Sequence, residues 1–263
     1  AYRPIVLLNC IGKLLEKVLA RRMQFDAQKF GILHPCQFGG AMQHSTTDAG
    51  IQLVHNIKQL WKQGMDSSAV LLDVAQFFPS INHTLLAAIL RKQGFAPALC
   101  KYFENYLTER QTQFVFNGET LPPMDFSVGV GQGSSLSPIL TGLYLAPALF
   151  AVAPLQQPIQ VELEGKLDGK SEEQDYEQLL YNNILLKKLC EALVLQLRRM
   201  GLAVETDKLE LMHFTRRRRK KGWKWSDNHP LGPVLKVTDG DTTHTITPKA
   251  TMRYLGFWLD PRL

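Results

Sequence analysis

The 263-residue chain is poor in cysteine. Its four, Cys10, Cys36, Cys100 and Cys190, form no C-x-x-C pair and have no nearby histidine at zinc-ligand spacing. A zinc ribbon or a disulfide framework is therefore not expected, and four thiols in a reducing compartment is the simple reading. An initiator methionine is also missing, and the opening Ala1-Tyr2-Arg3-Pro4 starts within a pattern, as expected of a piece of something longer. Only Pro138 to Leu155 is apolar over nearly the ~20 residues of a membrane span. Pro138, Pro147 and Pro154 interrupt it and a Gln-Gly-Ser-Ser run leads into it, so a core helix with breaks is expected and no membrane. There is no internal repeat, and no Asp-Asp dipeptide occurs anywhere.

What is present describes a soluble globular protein. The chain is 45% hydrophobic and 21% charged, far from the composition of disorder and enough for one large domain or two smaller ones. The net charge of +6 has a local origin. The run Arg216, Arg217, Arg218, Arg219, Lys220 and Lys221 supplies it, and outside that run the charges balance at 24 against 24. Net charge is thus weak support for nucleic-acid binding, and the place of the charge matters more.

Hydrophobic spacing gives the organisation. Ile11, Leu14, Leu15, Val18, Leu19 and Met23 predict an amphipathic helix over residues 11–24 after an extended Tyr2 to Leu8 segment. A second helix is expected from Thr46 to Trp61 after Ser45-Thr46, and Ala69 to Leu72 reads as a strand covered on both faces and ending on Asp73. Asn82 is a candidate N-cap for a helix that stops near Gly94. A helix at Leu99 to Leu107, a strand at Thr112 to Phe116 and a hairpin turn at Asn117-Gly118 follow. A long helix through Ile184 and Leu197 should end before Gly201, with strands around Ala203 and Leu211 and a last one at Tyr254 to Leu259. Strands and helices mix without a regular repeat, which predicts an α+β fold.

Two segments carry chemistry. Asp73 ends an apolar strand, where a buried carboxylate needs a compensating positive charge such as a metal ion, and Phe77-Phe78 follows within reach. Taken alone, such an aspartate also serves as a cap or turn residue. In Val130-Gly131-Gln132-Gly133-Ser134-Ser135-Leu136-Ser137-Pro138, small residues let the backbone approach a ligand, although a tight turn into a core helix has the same spacing.

In this order the segments resemble a reverse transcriptase of the non-LTR (LINE-like) retrotransposon family, particularly its fungal branch. Tyr2 to Lys17 is similar to the opening fingers motif, and Gln37-Phe38-Gly39-Gly40 with Ser45 to Ala49 to the next. Asp73 to His83 resembles motif A, Gly131 to Leu140 motif B, Gly201 to Phe214 motif D, and Tyr254-Leu255-Gly256-Phe257 motif E. The resemblance implies a polymerase right hand: a fingers-like segment at 1–68 and a palm-like segment at 69–263, with an antiparallel palm sheet backed by helices and the thumb absent or incomplete. It implies that Asp73 binds Mg²⁺ or Mn²⁺, and that Phe78 excludes a ribose 2′-hydroxyl. Gln132 and Gly133 would contact the incoming nucleotide and template, and Lys208 would lie near the leaving pyrophosphate. RNA template, DNA primer and deoxynucleoside triphosphates are the implied partners, and the nucleus the implied location.

Two departures stand out. Motif C should carry an Asp-Asp pair, and family spacing leaves Asp168, in the polar stretch Lys166-Leu167-Asp168-Gly169, as its candidate remnant and second metal ligand. Decay of the copy, a splice or frame error, and a segment that still brings Asp168 or Glu164 to the metal are the three open explanations. His44 stands where the family often has arginine. The expected function is RNA-directed DNA synthesis impaired at motif C; the alternative is an inactive remnant that binds nucleic acid. The basic run with Trp223 and Trp225 reads as a template–primer contact, and equally as a solvated charged loop or a localisation signal.

Overall fold

A computed structural model describes residues 5–125, 127–156, 172–216 and 231–263. Local sequence signals start its helices. The Asn9 side chain accepts a 2.6 Å hydrogen bond from the Gly12 N–H and caps α1 (Cys10–Lys29). Ser45 and Asp48 bond reciprocally across the first turn of α2 (Thr46–Lys62), a capping box. Next come β1 (Ser67–Leu71), β2 (Val74–Ala75), the single turn α3 (Phe77–Ser80) and α4 (His83–Lys92). Asn82 caps α4 as predicted, accepting from the Leu85 N–H at 2.9 Å. After α5 (Pro97–Leu107) the expected Thr112 to Phe116 strand is broken into short pieces. These are β3 (Gln111–Thr112) and β4 (Val115–Phe116), and β5 (Glu119–Thr120) and β6 (Met124–Asp125) follow. The β4–β5 hairpin turns on Asn117 and Gly118, both at positive φ, 50° and 82°. Then follow α6 (Ser137–Val152), α7 (Glu172–Arg199), β7 (Ala203–Val204), β8 (Glu210–Phe214), β9 (Leu235–Asp239), β10 (Thr242–Ile246), β11 (Met252–Tyr254) and β12 (Phe257–Leu259).

These elements form a mixed α/β protein whose described sheets are antiparallel strand pairs backed by helices. The chain divides into two compact units. One comprises Ala1–His44, Gln76–Leu149 and Arg198–Leu202; the other Ser45–Ala75, Phe150–Leu197 and Ala203–Leu263.

In the first unit α4 packs on α5 through Leu86, Leu90, Cys100, Phe103 and Leu107, all buried. From α6, Ile139, Leu140, Leu143 and Tyr144 join the same interior, and the Tyr144 hydroxyl donates to the Met200 carbonyl at 2.5 Å. By length and composition alone Ser137–Leu155 could cross a membrane, but half of it is buried inside the protein. The helix runs through Pro147 without ending there. The predicted apolar stripe of α1 is covered only in part. Met23 is buried and Leu19 half-buried, while Ile11, Leu14, Leu15 and Val18 are exposed and Glu16, Ala20 and Ala27 are buried. Periodicity says which residues share a face, but the neighbours that pack on a helix decide which face is covered.

The second unit is a sheet with both faces covered. Strand β1 pairs antiparallel with β8, Ser67 opposite Phe214 and Leu71 opposite Glu210. Side chains alternate as the pleat requires. Ala69, Leu71, Met212 and Phe214 join Ile57 of α2, whereas Val70 and Leu211 join Cys190 of α7 together with Leu235, Val237 and Ile246. This matches the expectation of a strand covered on both faces, although most β1 residues are only half-buried. The β9–β10 hairpin that supplies part of this cover was not foreseen, and the predicted Tyr254 to Leu259 strand is a hairpin. Leu255 and Gly256, at φ 48° and 93°, make its turn. All four cysteines are free, as expected; burial pushes the Cys190 thiol pKa up to about 11.

One polar chain threads this core. His213 is buried, and its Nε2–H donates to the Pro233 carbonyl at 2.9 Å, so its Nδ1 accepts from the Ser68 hydroxyl at 2.6 Å. Asn182 of α7 in turn donates to Ser68 Oγ at 3.3 Å. Ser68→Ala removes the hydroxyl that His213 and Asn182 share, Asn182 keeping its 3.1 Å bond to the Asp66 carbonyl, and about 1–3 kcal/mol of stability should be lost in urea denaturation. A variant as stable as wild type would show that water replaces the hydroxyl.

Candidate active site

Asp73 lies in the short connection between β1 and β2. Strand β2 pairs with β7, Val74 opposite Val204 and Ala75 opposite Ala203, and the Glu205 N–H extends the pairing with a 2.9 Å bond to the Asp73 carbonyl. A turn of 3-10 helix over Thr206–Lys208 then brings the lysine back toward the aspartate. Lys208 Nζ donates to Asp73 Oδ2 at 3.2 Å and also pairs with Glu205. Glu205 first and Asp73 second hold the lysine pKa above its ordinary value. The expectation of a buried carboxylate is corrected here. The Asp73 side chain is 57% exposed, and the positive charge beside it is an ammonium group. Glu205, which completes the triad, was not singled out from the sequence. Its only signal is its position three residues before Lys208.

The aromatic and the glycine-rich turn meet in the first unit. Gln76 at φ 44° starts α3, which carries Phe78 and Pro79. The Val130 N–H bonds the Phe78 carbonyl at 2.8 Å, and the Gly129 N–H bonds the Ile81 carbonyl at 2.7 Å. The segment before Gln132 is thereby laid against the segment containing Phe78. His83 reinforces the crossing through a 2.6 Å bond between its Nε2 and the Gly129 carbonyl. Beyond Val130 the chain turns sharply. Ser134 N–H and Ser137 Oγ both donate to the Gly131 carbonyl, at 3.2 and 2.6 Å, and Gly133 has φ 105°, open to glycine. The Val6 N–H bonds the Gln132 carbonyl at 2.8 Å. Gln132 and Gly133 remain exposed while Gly131, Ser134, Leu136 and Ser137 are buried.

Beneath this turn sits Glu16, 2% exposed. Its Oε2 accepts from Ser134 Oγ at 2.7 Å and from the Ser135 N–H at 3.0 Å, and its Oε1 accepts from the Tyr106 hydroxyl. Burial, and then the bond to Glu16, push the Tyr106 pKa up to about 12. The neutral phenol is thus favoured by folding, so its contribution is complete below the ordinary tyrosine value near 10 and fades as pH rises toward 12. Ultraviolet titration should show one phenol ionising near 12 in wild type and absent in Tyr106→Phe. A wild-type curve with every tyrosine near 10 would contradict this.

The structure therefore brings Asp73 together with Lys208 in one unit, and in the other it bonds the backbone of Phe78 to Val130, two residues before Gln132. Arg216 is exposed, its N–H bonding Asp66 Oδ1 at 3.2 Å and its guanidinium the Trp61 carbonyl at 3.4 Å. Asp168 and the remainder of the basic run, Arg217 to Lys221, lie outside the described residues. Among the described residues no three His, Cys, Asp or Glu side chains converge, and Lys208 occupies one oxygen of Asp73. Those residues by themselves do not fit a two-ion clamp.

Comparison with known proteins supplies the lineage. Residues 1–159 match the family model described as reverse transcriptase (RNA-dependent DNA polymerase). The chain is 31% identical over 146 residues to a probable RNA-directed DNA polymerase from transposon BS of Drosophila melanogaster, covering 56% of this chain and 16% of that protein. It is 28% identical over 140 residues to a Pol polyprotein from the type-1 retrotransposable element R2 of Popillia japonica, covering 53% and 19%. A third relative is the transposon TX1 149 kDa protein of Xenopus laevis, 24% identical over 149 residues, covering 56% and 11%. These relatives come from insects and an amphibian, and the alignments span less than a fifth of their lengths. With more than half of its length matched by the family model, this chain belongs to the reverse transcriptase (RNA-dependent DNA polymerase) family, related to the reverse transcriptases of non-LTR retrotransposons.

Proposed function

We propose that the chain is the fingers-and-palm part of a retrotransposon reverse transcriptase, with its nucleotidyl transfer impaired by a degenerate motif C. In the reaction the primer 3′-hydroxyl attacks the α-phosphorus of a deoxynucleoside triphosphate, a new phosphodiester forms and pyrophosphate leaves. The observation that supports this most is the pairing of Phe78 to Ile81 with Gly129 and Val130. It ties the backbone of one family motif, at Phe78, to the segment that leads two residues later into the exposed Gln132 and Gly133 of the next. In this reading Phe78 screens the sugar of the incoming nucleotide. Gln132 and Gly133 meet its base and the template, and Lys208 carries positive charge toward the departing phosphates. The fingers would be residues 1–68 and the palm 69–263, and the Mg²⁺ or Mn²⁺ that the family uses needs ligands beyond the described ones. The nuclear location follows from the family's habit of priming on chromosomal DNA, and the place in the fungal branch from the motifs.

A second reading, a nucleic-acid-binding remnant without catalysis, is favoured by the lack of a carboxylate cluster among the described residues. Primer extension on a primed RNA template with Mg²⁺ or Mn²⁺, measured beside binding of an RNA–DNA hybrid, separates the two. The polymerase reading expects both, with extension lost in Asp168→Ala. Binding without extension selects the remnant, and no binding overturns both. If the basic run holds the hybrid, replacing Arg216 to Lys221 with glutamine should weaken binding and flatten its salt dependence. An unchanged salt slope would remove the run from the interface.

A further inference from the structure

Glu16 is costly where it stands. A carboxylate buried in α1 among neutral donors gives up its hydration, whereas a leucine there would be buried without that cost. What the charge achieves is visible in its partners. Among the described residues, Ser134 Oγ and the Ser135 N–H, both of the glycine-rich turn, donate to it, as does the Tyr106 hydroxyl of α5. Ser134 Oγ also accepts from the Leu136 N–H at 3.1 Å, so one side chain links the carboxylate to the last residue before α6. The turn is tied down from below at Ser134 and Ser135 and closed on itself by Ser137, and it presents Gln132 and Gly133 outward.

From this geometry we infer that Glu16 is a positioning residue of the nucleotide site. Its carboxylate clamps Ser134 and Ser135 and so holds Gln132 and Gly133 in the conformation that an incoming deoxynucleoside triphosphate meets. The inference rests on the polymerase-type reading above. It assigns a role to α1 that its apolar periodicity does not suggest, and it makes Tyr106 the second support of the same clamp.

Two measurements on the full chain test it: hydrogen exchange of the Gly131–Ser137 segment, and binding of a fluorescent deoxynucleoside triphosphate to the complex with an RNA–DNA hybrid. Glu16→Gln keeps the shape but places an amide against the donors. Exchange at Ser135 and Leu136 should rise about tenfold, and nucleotide affinity should fall about tenfold. Hybrid affinity and the exchange of β1 and β8 should stay unchanged. Tyr106→Phe and Ser134→Ala, which each remove one donor, should move both readouts the same way by about threefold, and they carry the test if Glu16→Gln does not fold. Unchanged exchange in the turn overturns the inference, as does faster exchange with undiminished nucleotide affinity, because Glu16 would then be structural only. A wild-type chain that binds hybrid but no nucleotide overturns the nucleotide-site reading and the inference together. That failure is seen before any variant is made.

Discussion

Gly129→Ala should destabilise the protein by about 3–5 kcal/mol, the sum of backbone strain and lost hydrogen bonds. Gly129 has φ 85°, and a Cβ built there would stand 2.6 Å from the Pro79 carbonyl oxygen and 2.7 Å from Pro79 Cα. Those atoms are backbone and cannot rotate aside. Relief requires the two segments to separate, which stretches the Gly129 bond to Ile81 and the Val130 bond to Phe78. Gly94 is the internal control. It has φ 83° with nothing within 4 Å of the added carbon. Gly94→Ala should thus cost only the left-handed strain of about 1–2 kcal/mol. Urea denaturation of both variants decides the matter, and equal losses would mean that Pro79 yields freely. The same substitution should disturb Phe78 and Gln132 together, because one pair of backbone bonds positions both.

Asp73→Asn is expected to show the opposite profile. The side chain is more than half exposed and its partner Lys208 is equally open, so the variant should keep the wild-type melting temperature within about 2 °C. Any nucleotide addition that the chain supports should fall by about 10²–10³, the scale for removing one charged group from a site that works by electrostatic positioning. Because the amide keeps the size and the hydrogen-bonding oxygen, loss of addition without loss of folding assigns the effect to the charge. Extension at the wild-type rate would take Asp73 out of the chemistry. Lys208 should respond differently: without Asp73 it retains Glu205, the stronger cause of its raised pKa.

The contrast between these two residues shows how the molecule divides its information. Helix starts are written locally, since Asn9, Ser45 and Asn82 need only the amide groups three residues on. The Asn117-Gly118 turn is local in the same sense, being set by backbone sterics, whereas the apolar run of β1 announces a strand covered on both faces without naming what covers it. The ordered motifs point to the family, and the resemblance they carry implies roles for Asp73, Phe78, Gln132, Gly133 and Lys208. Sequence spacing was silent on what each of these touches. Lys208 reaches Asp73 across 135 positions of the chain, and Glu16 reaches Ser134 across 118. Such pairings depend on how β2 meets β7 and how α1 lies under the glycine-rich turn. For that reason the apolar stripe of α1 is buried at Met23 but open from Ile11 to Val18, and the burial of Glu16 has no signal in the sequence. A sequence states which groups can make a bond, through their chemistry and their local geometry. Only the packed chain decides which distant donor arrives, because burial removes water as the alternative partner and turns the carboxylate of Glu16, among the described residues, to Tyr106, Ser134 and Ser135.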